Sequence, residues 1–235
     1  MAEQPAPDLQ PRPPLPSITL DYARPWTVVL PSIFRYEHTE FIDEFFETGR
    51  IRLSSFEQFA KYPDEHRGDP NEGKAVLRGI GANHEVWMVG RWGIAALVLC
   101  CSTRLDRELM KSFDRTGVFE IIDPPAFGAE VARQIAGFRR GMSGHCLYRE
   151  DDSFLARAID FDPERHRRPD GGVELSAPAL AQQIGGDETV LLKSTRYRTQ
   201  AEYRLMWELD RLDSDHLFVD APSARQFCRR VEQLL

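Results

Sequence analysis

The chain has 235 residues, and its 37 acidic and 30 basic residues give a formal net charge of −7 at pH 7. This charge argues against broad, sequence-independent binding to DNA or RNA, which needs a basic surface to displace counterions. It does not exclude a local basic groove. Hydrophobic residues make up 42% of the chain, enough for a folded core, and the longest apolar run, Ile94–Cys101, is too short to cross a bilayer. We therefore expect a folded protein with no membrane association.

The first segment of the chain is rich in proline, since residues 1–16 hold six of the 16 prolines. Proline lacks a backbone N–H and favours extended conformations, so residues 1–17 are predicted to form a flexible Pro-rich tail. The remaining residues, 18–235, are predicted to form a single catalytic-type domain. No basic segment followed by an apolar segment marks a secretory signal.

The chain contains 4 cysteines, which are Cys100, Cys101, Cys146 and Cys228. No two of them form a CxxC pair, and the adjacent Cys100 and Cys101 would point to opposite faces of a strand. This pattern favours reduced thiols over a zinc site or a disulfide framework, and it predicts a cytoplasmic protein.

The predicted elements of the first part alternate between strand and helix. A strand is predicted over Trp26–Leu30, followed by a helix that Thr39 caps and Gly49 ends. The apolar side of this helix is formed by Phe41, Ile42, Phe45 and Phe46. A strand predicted over Arg50–Ser54 leads into Ser55–Gln58, whose spacing fits the capping box of a short helix.

The polar segment Tyr62–Gly73 is predicted to be a loop. It carries four carboxylates, which are Asp64, Glu65, Asp69 and Glu72. These carboxylates fit either a Mg²⁺ site or a turn-rich surface loop, and the glycines and proline of Arg67–Gly73 (RGDPNEG) favour the loop.

The second part of the chain is predicted to be richer in strands. Strands are predicted over Ile94–Cys101, Val118–Ile122, Glu188–Lys193, Gln200–Leu209 and His216–Asp220. Helices are predicted from Asp123 to about Phe138 and from Ser223 to Leu235, whereas residues 139–172 are charged and irregular. This irregular alternation predicts a compact α+β fold, with a mixed, largely antiparallel sheet and flanking helices.

Standard catalytic motifs are missing from the sequence. It contains no phosphate-binding P-loop, no GxGxxG after a strand, no HExxH, no GxSxG and no kinase motifs, and its 6 histidines show no spacing typical of metal ligands. Candidate chemistry therefore lies in polar residues on the predicted strands.

Three positions carry such residues. The planar guanidinium of Arg35 suits a phosphate, although an ordinary surface arginine would look the same. Ser55 already serves as a helix cap, so Ser54 is the better functional candidate of the two serines, with an exposed serine as the alternative. Gln200 and Glu202 lie on the polar face of their predicted strand, which would otherwise be a solvated face.

Five segments together resemble an uncharacterised bacterial family, domain of unknown function 2971, over about residues 33–210. The segments read FRYEH, GRIRLSSFEQF, RGDPNEG, SFDRTGVFEIIDPPAF and KSTRYRTQAEYRLMW. The order of an arginine, a serine and a Gln-x-Glu also resembles the R-S-E plan of ADP-ribosyltransferases. The resemblance implies that Arg35 holds NAD, that Ser54 supports the strand on the nicotinamide side, that Glu202 is catalytic and that Gln200 helps to choose the acceptor.

The resemblance also implies an ADP-ribosyltransferase-like fold and an enzyme that consumes NAD as a co-substrate. Such an enzyme would modify a protein or a nucleic acid, as a bacterial toxin or phage-defence effector with an antitoxin or effector partner. Cleavage of the nicotinamide–ribose bond builds positive charge on the ribose, which a carboxylate such as Glu202 would stabilise. Two alternatives stay open: a metal-dependent nuclease or phosphoesterase that uses His38, Asp69, Glu72 and Glu202, and a non-catalytic interaction module.

Overall fold

The computed structural model describes residues 30–61, 73–80, 85–91, 93–149, 167–171 and 190–231. The predicted tail, the predicted strand Trp26–Leu30 and the predicted loop Tyr62–Gly73 lie outside these residues, except for Leu30 and Gly73. Within the described residues, no helix is both long and apolar enough to span a membrane.

The described residues form an α+β fold with many strands and few helices. The strands are β1 (Ile33–Glu37), β2 (Arg50–Ser55), β3 (Lys74–Ile80), β4 (Glu85–Arg91), β5 (Ala96–Ser102), β6 (Gly117–Ile121), β7 (Phe138–His145), β8 (Leu147–Arg149), β9 (Leu192–Ser194), β10 (Glu202–Leu209), β11 (His216–Asp220) and β12 (Cys228–Arg230). The α-helices are α1 (Thr39–Thr48), α2 (Phe56–Lys61), α3 (Arg107–Ser112) and α4 (Pro124–Ala132). Two 3₁₀ helices cover Thr195–Gln200 and Pro222–Phe227.

The large sheet has eight strands, and all of its pairs are antiparallel. Its strands follow the order β11–β2–β5–β1–β6–β12, while β10 pairs with β5 and β7 pairs with β10. Strands β3 and β4 form a separate antiparallel pair, and β8 and β9 form a parallel pair. The predicted α+β class with a largely antiparallel sheet is therefore confirmed.

Strand β5 occupies the centre of this sheet and leaves part of one edge open. It pairs with β10 along its whole length on one side. On the other side, β2 meets its beginning, where Ser54 pairs with Val98, and β1 meets its end, where Phe34 pairs with Ser102. Neither strand pairs with residues 99–101. We call this opening between β1 and β2 the sheet gap.

One face of the sheet forms the main core under α1 and α4. The apolar residues of β10 that alternate along the sequence are all buried there, namely Tyr203, Leu205, Trp207 and Leu209. Phe45 of α1 and Phe127 of α4 pack on the same core, and Trp207 Nε1 donates to the Gly128 carbonyl at 2.9 Å. These residues lie opposite the polar face that the sequence predicts for this strand, and that polar face is not solvated, because β10 is buried on both sides.

Local signals in the sequence set the end of α1 and the start of α2. Gly49 ends α1 with a left-handed backbone (φ +86°), as predicted, and Ser55 Oγ accepts from the Gln58 N–H at 3.1 Å at the start of α2. The predicted cap at Thr39 is wrong. Thr39 is already helical, and its N–H donates to Thr116 Oγ1 at 2.9 Å, while His38 occupies the capping position.

Three boundary predictions fail where pairing in the sheet overrides local preference. Helix α4 ends at Ala132 and not near Phe138, because β7 begins at Phe138 and pairs with β10. The predicted irregular region therefore starts with a strand. Up to residue 230, the predicted terminal helix is replaced by the 3₁₀ helix Pro222–Phe227 and by β12, which pairs with β6; residues 232–235 lie outside the described residues.

Candidate functional site

A cavity of about 430 Å³ borders the sheet gap. Its lining includes β1, β2, the middle of β5 and the end of the 3₁₀ helix Thr195–Gln200, and its size is typical of a small-molecule site. Three of the four candidate residues chosen from the sequence, Arg35, Ser54 and Gln200, line this gap cavity. The fourth, Glu202, is not part of the lining.

The lining of the gap cavity is both cationic and aromatic. Among the described residues, its cations are Arg35, Arg50, Arg52, Arg115 and Lys193, against the two carboxylates of Glu37 and Glu44. Its phenylalanines are Phe41, Phe45, Phe59, Phe113, Phe119 and Phe218. Such a lining suits a ligand that combines negative charge with flat rings.

Arg35 is fixed at the open edge of β5. Its Nη1 donates to the Cys100 carbonyl at 2.8 Å, and its Nη2 lies 2.7 Å from Glu37 Oε2. The other carboxylate oxygen, Glu37 Oε1, lies 3.1 Å from Arg115 Nε. Burial disfavours the charged guanidinium, but the Glu37 carboxylate outweighs this effect and raises the pKa of Arg35. Burial likewise opposes ionisation of Glu37, yet Arg35 and Arg115 lower its pKa. The guanidinium is therefore charged and held in place.

The two neighbouring serines of β2 lie in different surroundings, and the predicted cap at Ser55 is confirmed. Ser55 is buried and caps α2, whereas Ser54 is half-buried and lines the gap cavity. Ser54 pairs with Val98, as does Met206 of β10, so the Ser54 side chain lies on the face of the sheet opposite the main core.

Glu202 begins β10 as a buried, doubly paired carboxylate that is only 5% exposed. Its Oε1 lies 2.6 Å from Arg204 Nε, and its Oε2 contacts Lys193 Nζ. Its backbone N–H donates to the Tyr148 hydroxyl at 2.7 Å. Burial alone would raise the pKa of Glu202, but Arg204 and Lys193 outweigh it and hold that pKa well below its ordinary value. The carboxylate is therefore ionised.

Sequence reasoning did not identify Lys193 and Arg204 as site residues. Arg204 follows Glu202 by two positions, and residues with this spacing share one face of a strand. The sequence therefore contains a signal for an ion pair between Glu202 and Arg204. Lys193 is the last residue of the strand predicted over Glu188–Lys193, and no local pattern in the sequence connects it with Glu202. It reaches the carboxylate because β9 and the following 3₁₀ helix lead back to the start of β10.

The register places Arg35 and Glu202 on opposite faces of the sheet. Phe34 and Glu202 both pair with Ser102, so their side chains share a face, and Arg35, next to Phe34, points to the other. The same register places Ser54 on the Glu202 face, so the gap cavity is lined from both faces of the sheet, and it brings Arg35, Ser54 and Gln200 together. It leaves Glu202 beside the cavity, in contact with the lining residue Lys193.

A backbone turn separates Gln200 from Glu202. The predicted strand Gln200–Leu209 begins only at Glu202, because Ala201 has a left-handed conformation with φ +43°. The turn is held by the Ala201 N–H, which donates to the Arg198 carbonyl at 3.1 Å, and by the Thr103 N–H, which donates to the Ala201 carbonyl at 2.9 Å. A non-glycine residue is disfavoured in this conformation.

Replacing Ala201 by glycine is therefore expected to raise the free energy of unfolding by about 1 kcal/mol, because glycine adopts the left-handed conformation without strain. Urea unfolding measures the effect. The matched control is Ala129→Gly on the exposed side of α4, which should lower the free energy by about 1 kcal/mol. A loss of stability at both positions would contradict the assignment of strain to Ala201.

A second cavity of about 420 Å³ lies where α4 faces β7 and β10. Arg133 is its only charged lining residue among those described. Because charge and candidate residues concentrate in the gap cavity, the gap cavity is the candidate active site.

The described residues offer no set of metal ligands to the alternative of a metal-dependent nuclease or phosphoesterase. No group of three or more His, Cys, Asp and Glu side chains there is placed to hold a metal ion. His38 Nε2 lies 2.8 Å from Arg115 Nη1, and Asp69 and Glu72 fall outside the described residues.

Comparisons with protein-family models, with curated protein sequences and with solved structures found no match. The assignment of a function therefore rests on the residues and contacts of this chain.

Proposed function

We propose that the protein binds NAD in the gap cavity and consumes it by ADP-ribosyl transfer, as an ADP-ribosyltransferase-like enzyme. The observation that carries this proposal is the meeting of Arg35, Ser54 and Gln200 in one predominantly cationic cavity. The resemblance assigns Arg35 and Ser54 to NAD and Gln200 to the acceptor, and it therefore places all three at one site, although they lie far apart along the chain.

The chemistry of the lining matches that of NAD. The diphosphate of NAD carries two negative charges, which arginine guanidinium groups bind through paired hydrogen bonds. Arg35 is already oriented by Glu37 and by the Cys100 carbonyl, so ligand binding would lose little side-chain entropy there. The phenylalanine rings of the lining offer flat apolar surfaces for the nicotinamide and adenine rings.

The proposed reaction breaks the bond between ribose C1′ and the nicotinamide nitrogen, and nicotinamide leaves with the electron pair of that bond. An oxygen or nitrogen of the acceptor then bonds to C1′ and releases its proton to solvent; with water as acceptor, the products are ADP-ribose, nicotinamide and a proton. The ionised Glu202 would stabilise the positive charge that develops on the ribose. Gln200, which is neutral, would orient the acceptor, a protein or a nucleic acid.

The test is nicotinamide release from NAD by the purified chain, with protein and nucleic-acid acceptors and with EDTA as a control. We expect release that EDTA leaves unchanged. Arg35→Met should weaken NAD binding by at least about tenfold, because it removes charge-assisted hydrogen bonds. Arg139→Met, on the exposed end of β7, is the matched control and should bind NAD as the wild type does.

Two results would contradict the proposal. One is a wild-type chain that neither binds NAD nor releases nicotinamide with any of these acceptors. The other is an Arg35→Met variant with unchanged affinity and turnover, because the assignment of the gap cavity depends on Arg35.

The pairing of Glu202 favours one second candidate, a module that binds NAD without turnover. Lys193 and Arg204 both contact the Glu202 carboxylate, and a carboxylate engaged by two cations is less able to stabilise a third positive charge. Calorimetric binding of NAD together with no nicotinamide release would identify such a module.

A further inference from the structure

Lys193 connects the gap cavity with the buried carboxylate. Its Nζ contacts Glu202 Oε2, and the residue also lines the cavity, whereas Glu202 and Arg204 do not. Its ammonium lies 4.9 Å from the centre of the Tyr197 ring. A ligand in the cavity would therefore meet Lys193 before it meets Glu202.

We infer that Lys193 binds the diphosphate of the ligand, and that this diphosphate competes with Glu202 for the Lys193 ammonium. The inference deepens the proposed function and rests on it for the identity of the ligand. A lysine suits this exchange, because its ammonium is a compact charge with three N–H donors on a flexible stem.

Arg204 cannot make the same exchange. Its side chain is 0% exposed, and it donates from Nε to Glu202 Oε1 and from Nη1 to the Val190 carbonyl at 2.5 Å. Arg204 therefore keeps the carboxylate in position while Lys193 moves to the diphosphate. Glu202 Oε2 then loses a hydrogen-bond donor and becomes able to accept a hydrogen bond from a ribose hydroxyl.

The exchange would link binding with catalysis. Before a ligand binds, the Lys193 ammonium pairs with the Glu202 carboxylate. The diphosphate of the ligand then draws this ammonium away from Glu202 as the ribose enters the site. Because such coupling is reciprocal, a change at Glu202 must also alter the affinity for the diphosphate.

Calorimetric titration with inorganic pyrophosphate and with ADP-ribose tests the inference. Lys193→Met is expected to weaken the binding of both ligands by at least about tenfold, because one charge-assisted hydrogen bond is lost. Lys111→Met is the matched control, since Lys111 is an exposed residue of α3 that does not line the cavity, and it should leave both affinities unchanged. Loss of pyrophosphate binding separates a contact with the diphosphate from a contact with the nucleoside part of ADP-ribose.

Glu202→Gln provides the readout that a purely structural ion pair would not give. It should tighten pyrophosphate binding by about tenfold, because the competitor for the ammonium is removed. A structure of the wild-type chain with pyrophosphate needs no variant. It should place Lys193 Nζ within hydrogen-bond distance of a phosphate oxygen and away from Glu202 Oε2.

Three outcomes would overturn the inference: no pyrophosphate binding by the wild-type chain, unchanged binding by Lys193→Met, or bound pyrophosphate with the Lys193–Glu202 pair intact. The proposed function fails separately. Pyrophosphate binding that depends on Lys193, without nicotinamide release, supports the inference and rejects the transferase. Nicotinamide release together with pyrophosphate binding that does not depend on Lys193 supports the transferase and rejects the inference about Lys193.

Discussion

Replacement of Glu202 by glutamine is expected to lower the free energy of unfolding by about 3–5 kcal/mol, because it leaves buried cations without their carboxylate. Arg204 and Lys193 both contact this carboxylate, and their side chains are 0% and 9% exposed. An amide keeps the shape of the side chain but supplies no negative charge, so the cost of burying the two cations is no longer offset.

The matched control is Glu208→Gln at the other end of β10. Glu208 pairs with Arg140, but its side chain is 37% exposed and solvent screens the pair. Its replacement should therefore change the free energy of unfolding by less than about 1 kcal/mol. Urea unfolding at pH 7 compares the variants. Equal effects at the two positions would contradict the stabilising role of the buried carboxylate.

The effect of Glu202→Gln should also depend on pH. Unfolded Glu202 takes up a proton near its ordinary pKa of 4.5, whereas Arg204 and Lys193 hold the pKa of the folded side chain far lower. Below about pH 4.5 the unfolded state therefore binds more protons, and the stability that the carboxylate supplies decreases as the pH falls. The difference between wild type and variant should be constant from pH 5.5 to 7 and should narrow below pH 4.5.

Gly49→Ala is expected to lower the free energy of unfolding by about 2–5 kcal/mol, the sum of backbone strain and a steric clash. Gly49 has φ +86°, and a Cβ there would lie 2.4 Å from the Cα and the N of Pro222. Because these are backbone atoms, no side-chain rotation relieves the clash. The turn at Gly49 also sets where β2 begins, and β2 carries Ser54 to the cavity.

Gly171→Ala separates the two contributions. Gly171 has nearly the same φ, +85°, but a Cβ there would meet no atom of the described residues within 4 Å. Its replacement should therefore cost only the backbone strain, about 1–2 kcal/mol. Urea unfolding measures the loss of unfolding free energy in both variants, and the difference between the two losses is the cost of the clash with Pro222. Equal losses would show that the contact with Pro222 relaxes at no cost.

Local chemistry explains what could be predicted from the sequence. The end of α1 at Gly49 and the cap at Ser55 each depend on one residue and its immediate neighbours. The strand predicted over His216–Asp220 is β11, residue for residue, because its pattern of apolar residues is short and uninterrupted. The fold class follows from the same kind of information, summed along the chain.

Long-range pairing explains what could not be predicted. Gly141 and Gly144 give β7 little strand preference of its own, and the strand forms because β10 pairs with it. The same limit applies to the site. Arg35, Ser54 and Gln200, which the sequence predicts as site residues, line one cavity, but the position of Glu202 beside Lys193, on the face opposite Arg35, depends on a register that no local pattern encodes.

The order of strands in the large sheet has a consequence for synthesis of the chain. No two neighbouring strands of this sheet, as described, follow each other directly in the sequence, so its pairs close long loops and folding is expected to be slow. Strands β1 and β2 leave the ribosome early, but the gap cavity also needs β5, Lys193, Gln200 and Phe218. A nascent chain therefore has no complete cavity, and the proposed consumption of NAD starts only after nearly all of the described residues have been made.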